Sequence, residues 1–513
     1  MRIFGYVLMA LVVVSTISCD FLSSTSSYNL TATVTPEEGG TVNPSEGTFD
    51  EGTRVDITAE ANENWVFSRW EGDIEDNSSN ASLTFDSDKI INAVFVLKEY
   101  SLSIHVEGEG TVTEEIVEEP ATADYKHGTT VRLTAQPDED WLFVSWEGAI
   151  EGTENPVEVT VDDEKSVTAV FAEKKYQLFS MGYNHNGQVG DGTQVDRHDP
   201  SFVINDVRNV AAGSWHSLVI KNDGTLWGMG YNQFGQLGDG TGVDQHTPVQ
   251  IASDVSGASG GEYHSIFVTD DGTLYTMGDN SEGQLGDGTT VTRMNPVQVD
   301  TDVKNVTIGE WHSLYVKNDG SLWGMGRNSD NQLSSDTMDV HHLTPVQIDT
   351  DVVHVAAGNR FTLYVKSDRT LWAVGGNASG QLGDGTLISR TEPFQVATDV
   401  LHAAAGRDHS LFVTSDGTLM GMGNNTAGQL GGGADDTTSI TNPVVIDTDV
   451  VHAIGGNRHT MYIKGDGRLW AMGMNENGQL GDGTTTQRLE PVMIDTDVVD
   501  VTAGIYHSLY VKK

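Results

Sequence analysis

The sequence predicts an all-β protein: a seven-bladed β-propeller with two small N-terminal β repeat modules. Three observations predict it. From Tyr176 onward two short motifs recur out of phase, and the His or Phe of one of them falls at 216, 264, 312, 361, 409, 459 and 507. Before Tyr176 lie two longer segments that are copies of each other. The 513 residues include 58 Gly and 10 Trp, which suits a turn-rich chain of short strands.

The chain opens on Met1-Arg2 and an apolar run, Ile3 to Val14, of signal-peptide rather than membrane-spanning length. Thr16-Ile17-Ser18-Cys19 follows and resembles a lipobox, so residues 1–18 are expected to be a lipoprotein signal peptide. Cys19, the single cysteine, is the expected lipidation site, and residues 19–27 the anchor and linker. No other stretch is apolar enough to span a bilayer, so contact with the membrane is expected only through that anchor. The expected location is the bacterial membrane, facing the periplasm or the cell exterior.

Residues 28–98 and 99–174 form the paired modules. Asn64-Trp65-Val66-Phe67-Ser68-Arg69-Trp70-Glu71-Gly72 aligns with Asp140-Trp141-Leu142-Phe143-Val144-Ser145-Trp146-Glu147-Gly148. Gly52 to Ala59 matches Gly128 to Ala135, and both copies end on Ala-Val-Phe, at Phe95 and Phe171. Alternation of Val55, Ile57 and Ala59 with Arg54, Asp56 and Thr58 marks half-buried strands. The pattern resembles the divergent internalin B-type repeat of bacterial surface proteins, which implies a spacer role. The paired tryptophans read as core.

Residues 175–513 carry the ring. One motif, N-x-x-G-Q-L-G-D-G-T, is whole at Asn232, Asn280, Asn377 and Asn475 and weaker at Asn184, Asn328 and Asn425. The other, G-x-x-H-[ST], begins at Gly213, Gly261, Gly309, Gly406, Gly456 and Gly504, and at Gly358 Phe361 replaces its histidine. In the unit from Val303 to Ile348 the pattern predicts strands at Val303–Ile308, His312–Lys317, Ser321–Asn328 and Pro345–Ile348. Asn318-Asp319-Gly320 is the hairpin turn between the second and third. Leu314 and Val316 against Tyr315 make both faces apolar, as in a sheet packed between sheets. Four strands repeated radially describe a propeller blade. The two motifs resemble the regulator of chromosome condensation repeat, which implies seven blades. The chain enters at a third-strand position (Tyr176 to Met181) and leaves at a second-strand one (His507 to Lys512), so the two fragments should complete one blade and abolish the open edges.

Composition narrows the function. Lys and Arg total 28 against 74 Asp and Glu, a formal charge of -46 that repels nucleic acid and anionic lipid. No G-x-S-x-G elbow, H-E-x-x-H or phosphate-cradling loop occurs, so no catalytic residue, cofactor or metal is assigned. His216, His264, His312, His409, His459 and His507 repeat with the fold and read as structural. The Gly-Asp-Gly-Thr loops at Asp191, Asp239, Asp287, Asp384 and Asp482 offer one carboxylate each, too few for calcium. His341 and His342, beside Asp339, read as a surface pair.

What varies between repeats points to the site. The residue before each motif His or Phe is Trp215, Tyr263, Trp311, Arg360, Asp408, Arg458 or Tyr506. The residue before each motif Asn is Tyr183, Tyr231, Asp279, Arg327, Gly376, Asn424 or Met474. Each set should form a circle on the propeller, and the first, lying between a blade's first two strands, should be exposed on one end face. Trp, Tyr and Arg dominate interface energetics. The expected partner-binding residues are therefore Trp215, Tyr263, Trp311, Arg360, Arg458, Tyr506, Tyr183, Tyr231 and Arg327. Propellers of this repeat type include a nucleotide-exchange factor for a small nuclear GTPase and a secreted bacterial inhibitor of β-lactamases. The second shares the expected export route, and that resemblance implies a non-enzymatic monomer binding an extracellular or surface protein. Carbohydrate or cell-wall attachment, and a propeller-based hydrolase or lyase, are the alternatives.

Overall fold

The computed structural model describes residues 26–117, 125–138, 141–333, 339–432 and 438–513. Cys19 and the segment expected to be a signal peptide lie outside them. The described chain is almost wholly β and forms two compact units, Met1–Lys174 and Lys175–Lys513. No helix of the described residues is long and apolar enough to cross a membrane.

In the first unit each repeat closes two small sheets over one core, and the second repeat adds a two-stranded ladder of Glu99–Tyr100 with Tyr125–Lys126. The first repeat orders Glu46–Asp50, Ser27–Thr35, Lys89–Leu97 and Trp65–Gly72 in one sheet, and Gly40–Asn43, Arg54–Ala61 and Asn80–Thr84 in the other. Trp70 and Trp146 are almost fully buried, and each indole N–H donates to a backbone carbonyl, of Ser78 and Glu154, at 2.9 Å. Trp65 and Trp141 pack against the same cores from a half-buried position. A large ring with its one polar atom satisfied stabilises a small module, which is the packing role expected of these residues.

The second unit is a ring of seven four-stranded antiparallel sheets. Blade one is Val207–Ala212, His216–Lys221, Leu226–Gly230 and Gln245–Ala252, from the inner strand outward. Blades two to six begin at Val255, Val303, Val352, Val400 and Val450. Blade three shows the expected strands at Val303–Ile308 and His312–Lys317, with the third at Leu322–Arg327 and a longer fourth at His341–Asp349. Leu314, Tyr315 and Val316 are all buried, because both faces of the sheet meet neighbouring blades.

Blade seven closes the ring. Val498–Ala503 and His507–Lys512 come from the end of the chain, Gln177–Gly182 and Arg197–Asn205 from the start of the unit. Gln177 pairs with Lys512 and Gly182 with His507 in unbroken antiparallel register, the pairing that the two sequence fragments require. Phe179 stacks on Tyr510 at 5.5 Å across this seam.

The repeated motifs hold the blades together. His216 Nε2 lies 2.7 Å from Ser265 Oγ of the next blade, and the same contact joins His264 to Ser313, His459 to Ser508 and His507 to Ser217. Thr362 and Thr460 take the serine's place for His312 and His409. Ser265 Oγ itself donates to the Gln236 carbonyl at 2.7 Å, so its oxygen accepts from the histidine N–H and fixes the tautomer. The motif glycine is steric. A Cβ on Gly309 would overlap the imidazole carbon Cε1 of His312, and one on Gly358 would overlap the ring of Phe361.

Candidate binding face of the propeller

The second motif builds the loop between the third and fourth strands. In blade one Asn232 Oδ1 accepts from Leu237 N at 3.0 Å. Its Nδ2 donates to Asp239 Oδ1 and to the carbonyls of Thr241 and Val243 at 2.9–3.2 Å. One amide thus gathers the loop, and the Val243 side chain is left outside. The Asp of the Gly-Asp-Gly-Thr turn is spent internally. Asp384 Oδ1 accepts from Asn377 and Thr386, and Oδ2 from Arg390 Nε at 2.6 Å. Arg197, Arg293 and Arg488 do the same for Asp191, Asp287 and Asp482. His341 is exposed and lies 2.9 Å from Glu282, but His342 is buried, so the surface pair expected there is corrected to one surface and one interior histidine. The fourth strand begins at His341, and alternation along it turns the second ring inward.

This loop and the turn between strands one and two emerge at the same end of each blade, here the upper face. A backbone bond ties them. Tyr231 N donates to the Trp215 carbonyl at 3.0 Å, Tyr183 N to Tyr506, Arg327 N to Trp311 and Gly376 N to Arg360. Asp279, Asn424 and Met474 repeat the bond to Tyr263, Asp408 and Arg458. The two circles of variable residues therefore sit as seven locked pairs on one face.

The pairs are not alike around the ring. In blades seven, one, two and three the first circle is aromatic (Tyr506, Trp215, Tyr263 and Trp311), and with Tyr183 and Tyr231 of the second circle these rings are half-buried against one another. Asp279 and Arg327 are the polar partners in blades two and three. Trp215 is 5.5 Å from Tyr506 and 5.8 Å from Tyr183, and Tyr263 is 5.9 Å from both Tyr231 and Trp311, all tilted or edge-on. Phe234 joins them 5.0 Å from Tyr263. It stands inside the second motif rather than before it, so the comparison of positions just ahead of each motif misses it. Burial, reinforced by Glu262, pushes the Tyr263 hydroxyl up to about 12. Outside this arc, Val195, Val243, Val291 and Ile388 are exposed at matching loop tips, and Val340 is exposed one residue past the matching place in blade three.

Blades four to six carry charge instead. Arg360 and Arg458 are exposed, and Asp408 is held half-buried near both. Arg327 of blade three, half-buried, borders them and donates its Nε to Ser329 at 2.8 Å. At the centre Arg407 Nε lies 3.3 Å from Glu310 Oε1, and burial pushes the Glu310 carboxyl up to about 7.

Beneath this face runs a channel of about 430 Å3 lined by the seven inner strands. The third residue of each inner strand faces it: Asn209, Gly257, Asn305, His354, His402, His452 and Asp500. His402 packs between His354 and His452, with tilted rings 4.6 and 4.7 Å apart. Asp500 Oδ2 accepts from Asn209 Nδ2 at 3.1 Å. Burial lowers His354 to about 4 and raises Asp500 above the usual carboxylate range. These histidines lie outside the repeated motif, and only an alignment of the inner strands brings them into one column. Among the described residues no three His, Cys, Asp or Glu side chains are placed to hold a metal ion.

Comparison with known proteins matches this architecture. The RCC1-like domain family matches residues 290–510, and the regulator of chromosome condensation (RCC1) repeat matches 177–220 and 223–268, with a second model of the repeat at 207–236 and 255–284. The divergent InlB B-repeat domain matches 30–99 and 100–175. No curated protein sequence matches the chain. Among solved structures, human WBSCR16 is similar at 23% identity and a TM-score of 0.60, over 66% of this chain and 99% of that one. Prp20p from Saccharomyces cerevisiae, described with its binding to Gsp1p and histones, is similar at 20% identity and a TM-score of 0.60, over 66% and 92%. At these identities the likeness is one of fold. The chain thus carries two divergent InlB B-repeat domains followed by a seven-bladed propeller of the regulator of chromosome condensation repeat family.

Proposed function

We propose that this is a non-enzymatic, lipid-anchored surface protein that presents the upper face of its propeller to an extracellular or surface protein. The observation that carries the reading is the aromatic arc from Tyr506 through Trp215 and Tyr263 to Trp311. It occupies the positions at which the repeats are free to differ, and it stands next to exposed aliphatic loop tips and exposed arginines. Rigid aromatic side chains packed on each other lose little entropy on binding, and together with Arg they supply most interface energy. A sugar-binding platform needs an open ring face, whereas here neighbouring rings contact one another at 5–6 Å, which favours a protein partner.

The test uses the full chain as bait against surface proteins and, in parallel, against a glycan array. With a protein partner in hand, Trp215→Ala, Trp311→Ala and Tyr506→Ala should each weaken binding by about 1–4 kcal/mol and leave Tm nearly unchanged. Full affinity in the triple variant, or a glycan with no protein partner, would overturn the reading. Anchoring is tested separately: Cys19→Ala should move the protein from the membrane fraction to the soluble one.

A further inference from the structure

The lower end face carries a feature that the upper-face reading does not use. Every inner strand has a β-bulge at its second residue, where the register shifts between Val207 and Asn209 in blade one and at the equivalent pair in each other blade. A bulge re-aims the extra side chain, and here it turns the second residue outward at the lower end of the channel. In blades one to three that residue is Arg208, Ser256 or Lys304, as an exposed position expects. In blades four to seven it is Val353, Leu401, Val451 and Val499, and these are 43%, 51%, 60% and 40% exposed. One solvated slot therefore holds an aliphatic residue in four consecutive blades, which places an apolar arc on half of the lower mouth.

The arc is bordered by carboxylates. The residue two before each bulge is Asp351, Asp399, Asp449 or Asp497, each exposed and in the left-handed conformation at φ 59–61°. Outside them the hairpin turns add Asp368, Asp416 and Asp466. The bases nearby do not balance these. Lys366, Lys464 and Lys512 are tied to Asp349, Asp447 and Asp495 at 2.8 Å, and Arg468 pairs with Asp466, which leaves Arg369 and, beside Asp497, Lys513, with Lys304 and Arg208 in the two flanking blades. Anionic lipid and nucleic acid are repelled by such a rim, while a cation with apolar side chains gains from both parts.

We propose that the Val353–Leu401–Val451–Val499 arc is a second docking surface, taking a cationic amphipathic segment of a partner protein. The apolar side chains of that segment cover the arc and its Lys or Arg residues meet the surrounding aspartates. The two faces would then make the propeller an adaptor between two different proteins. This surface is independent of the aromatic arc.

The test is fluorescence anisotropy of the full chain with a labelled 14-residue Leu/Lys amphipathic peptide, and with an all-Lys peptide of equal charge. The Leu/Lys peptide should bind at 0.15 M salt. Binding should fall about tenfold in Leu401→Ser/Val451→Ser, which copies the polar residues of blades one to three, and by a similar factor for the all-Lys peptide. Trp215→Ala should bind the peptide as the parent does, so failure here and failure of the upper-face reading are separable. Equal binding by the serine variant at unchanged Tm, equal binding by the all-Lys peptide, or no binding at all would overturn the proposal.

Discussion

The histidine of the G-x-x-H motif shows what a single residue contributes to this ring. Its Nε2 reaches across a blade boundary, its tautomer is set by a serine already committed to a carbonyl, and its ring rests on a glycine that no larger residue can replace. Full burial pushes His216, His264, His312 and His507 down to about 3. Their folded values lie below the unfolded one of about 6.5, so the unfolded chain binds more protons between these limits. Stability is therefore complete above about pH 6.5 and is lost as pH falls toward 3. Phe361 shows that a ring of similar shape fits the slot without a proton to gain. His264→Phe should cost about 1 kcal/mol at pH 7.5, from the lost hydrogen bond, yet reduce the drop in Tm between pH 6.5 and 4. A Tm profile parallel to the parent's would show that His264 is not part of the acid response. This role was legible in the sequence because it repeats. The channel histidines were not, because nothing adjacent in sequence marks His354, His402 and His452 as neighbours.

At the scale of the element, strand order and closure followed from the offset between the first and last repeat fragments. The bulges did not. A bulge is set by cross-strand register, and the Asp-Val start of each inner strand gives no sign that the following residue will be turned out. The ends of the fourth strand were also hidden, since it is an outer strand with a weak apolar pattern. The closing strand is the most consequential single element. Gln177–Gly182 has partners on both sides, so its loss would expose His507–Lys512 and Arg197–Asn205 together. A chain beginning at Asp206, which lacks both N-terminal strands of blade seven and keeps blade one whole, should have a Tm lower by more than about 10 °C. An unchanged melting temperature would mean that blade seven contributes no cooperativity to the ring.

For the whole molecule, composition gave an excess of acid but not its placement. The seven-fold arrangement puts an aspartate in the left-handed conformation at the lower corner of every blade, Asp206, Asp254 and Asp302 included, and places aromatic and arginine side chains at the opposite end. The circles of variable residues could be drawn from the repeats alone. That the aromatic members pack ring on ring from blade to blade could not, because those contacts cross blade boundaries. The centre of the upper face should respond to pH. Burial raises Glu310 to about 7, above its unfolded value, so its contribution to stability is complete below about pH 4.5 and lost as pH rises through 7. Glu310→Gln should remove that loss, seen as a change in the slope of the Tm profile between about pH 4.5 and 7.

The seam in blade seven also decides how the propeller carries load. The third strand runs from the lower face to the upper, so tension applied at Lys175 against the upper face acts along Gln177–Gly182 and strains its cross-strand bonds together, in shear. Tension between Lys175 and Lys513 acts on the adjacent ends of two antiparallel strands and opens the same bonds one at a time. Single-molecule pulling from residue 175 should therefore rupture at a clearly higher force against Gly240 than against Lys513. A protein held by its N-terminus and gripped at its upper face would be loaded in the direction in which its closure is strongest.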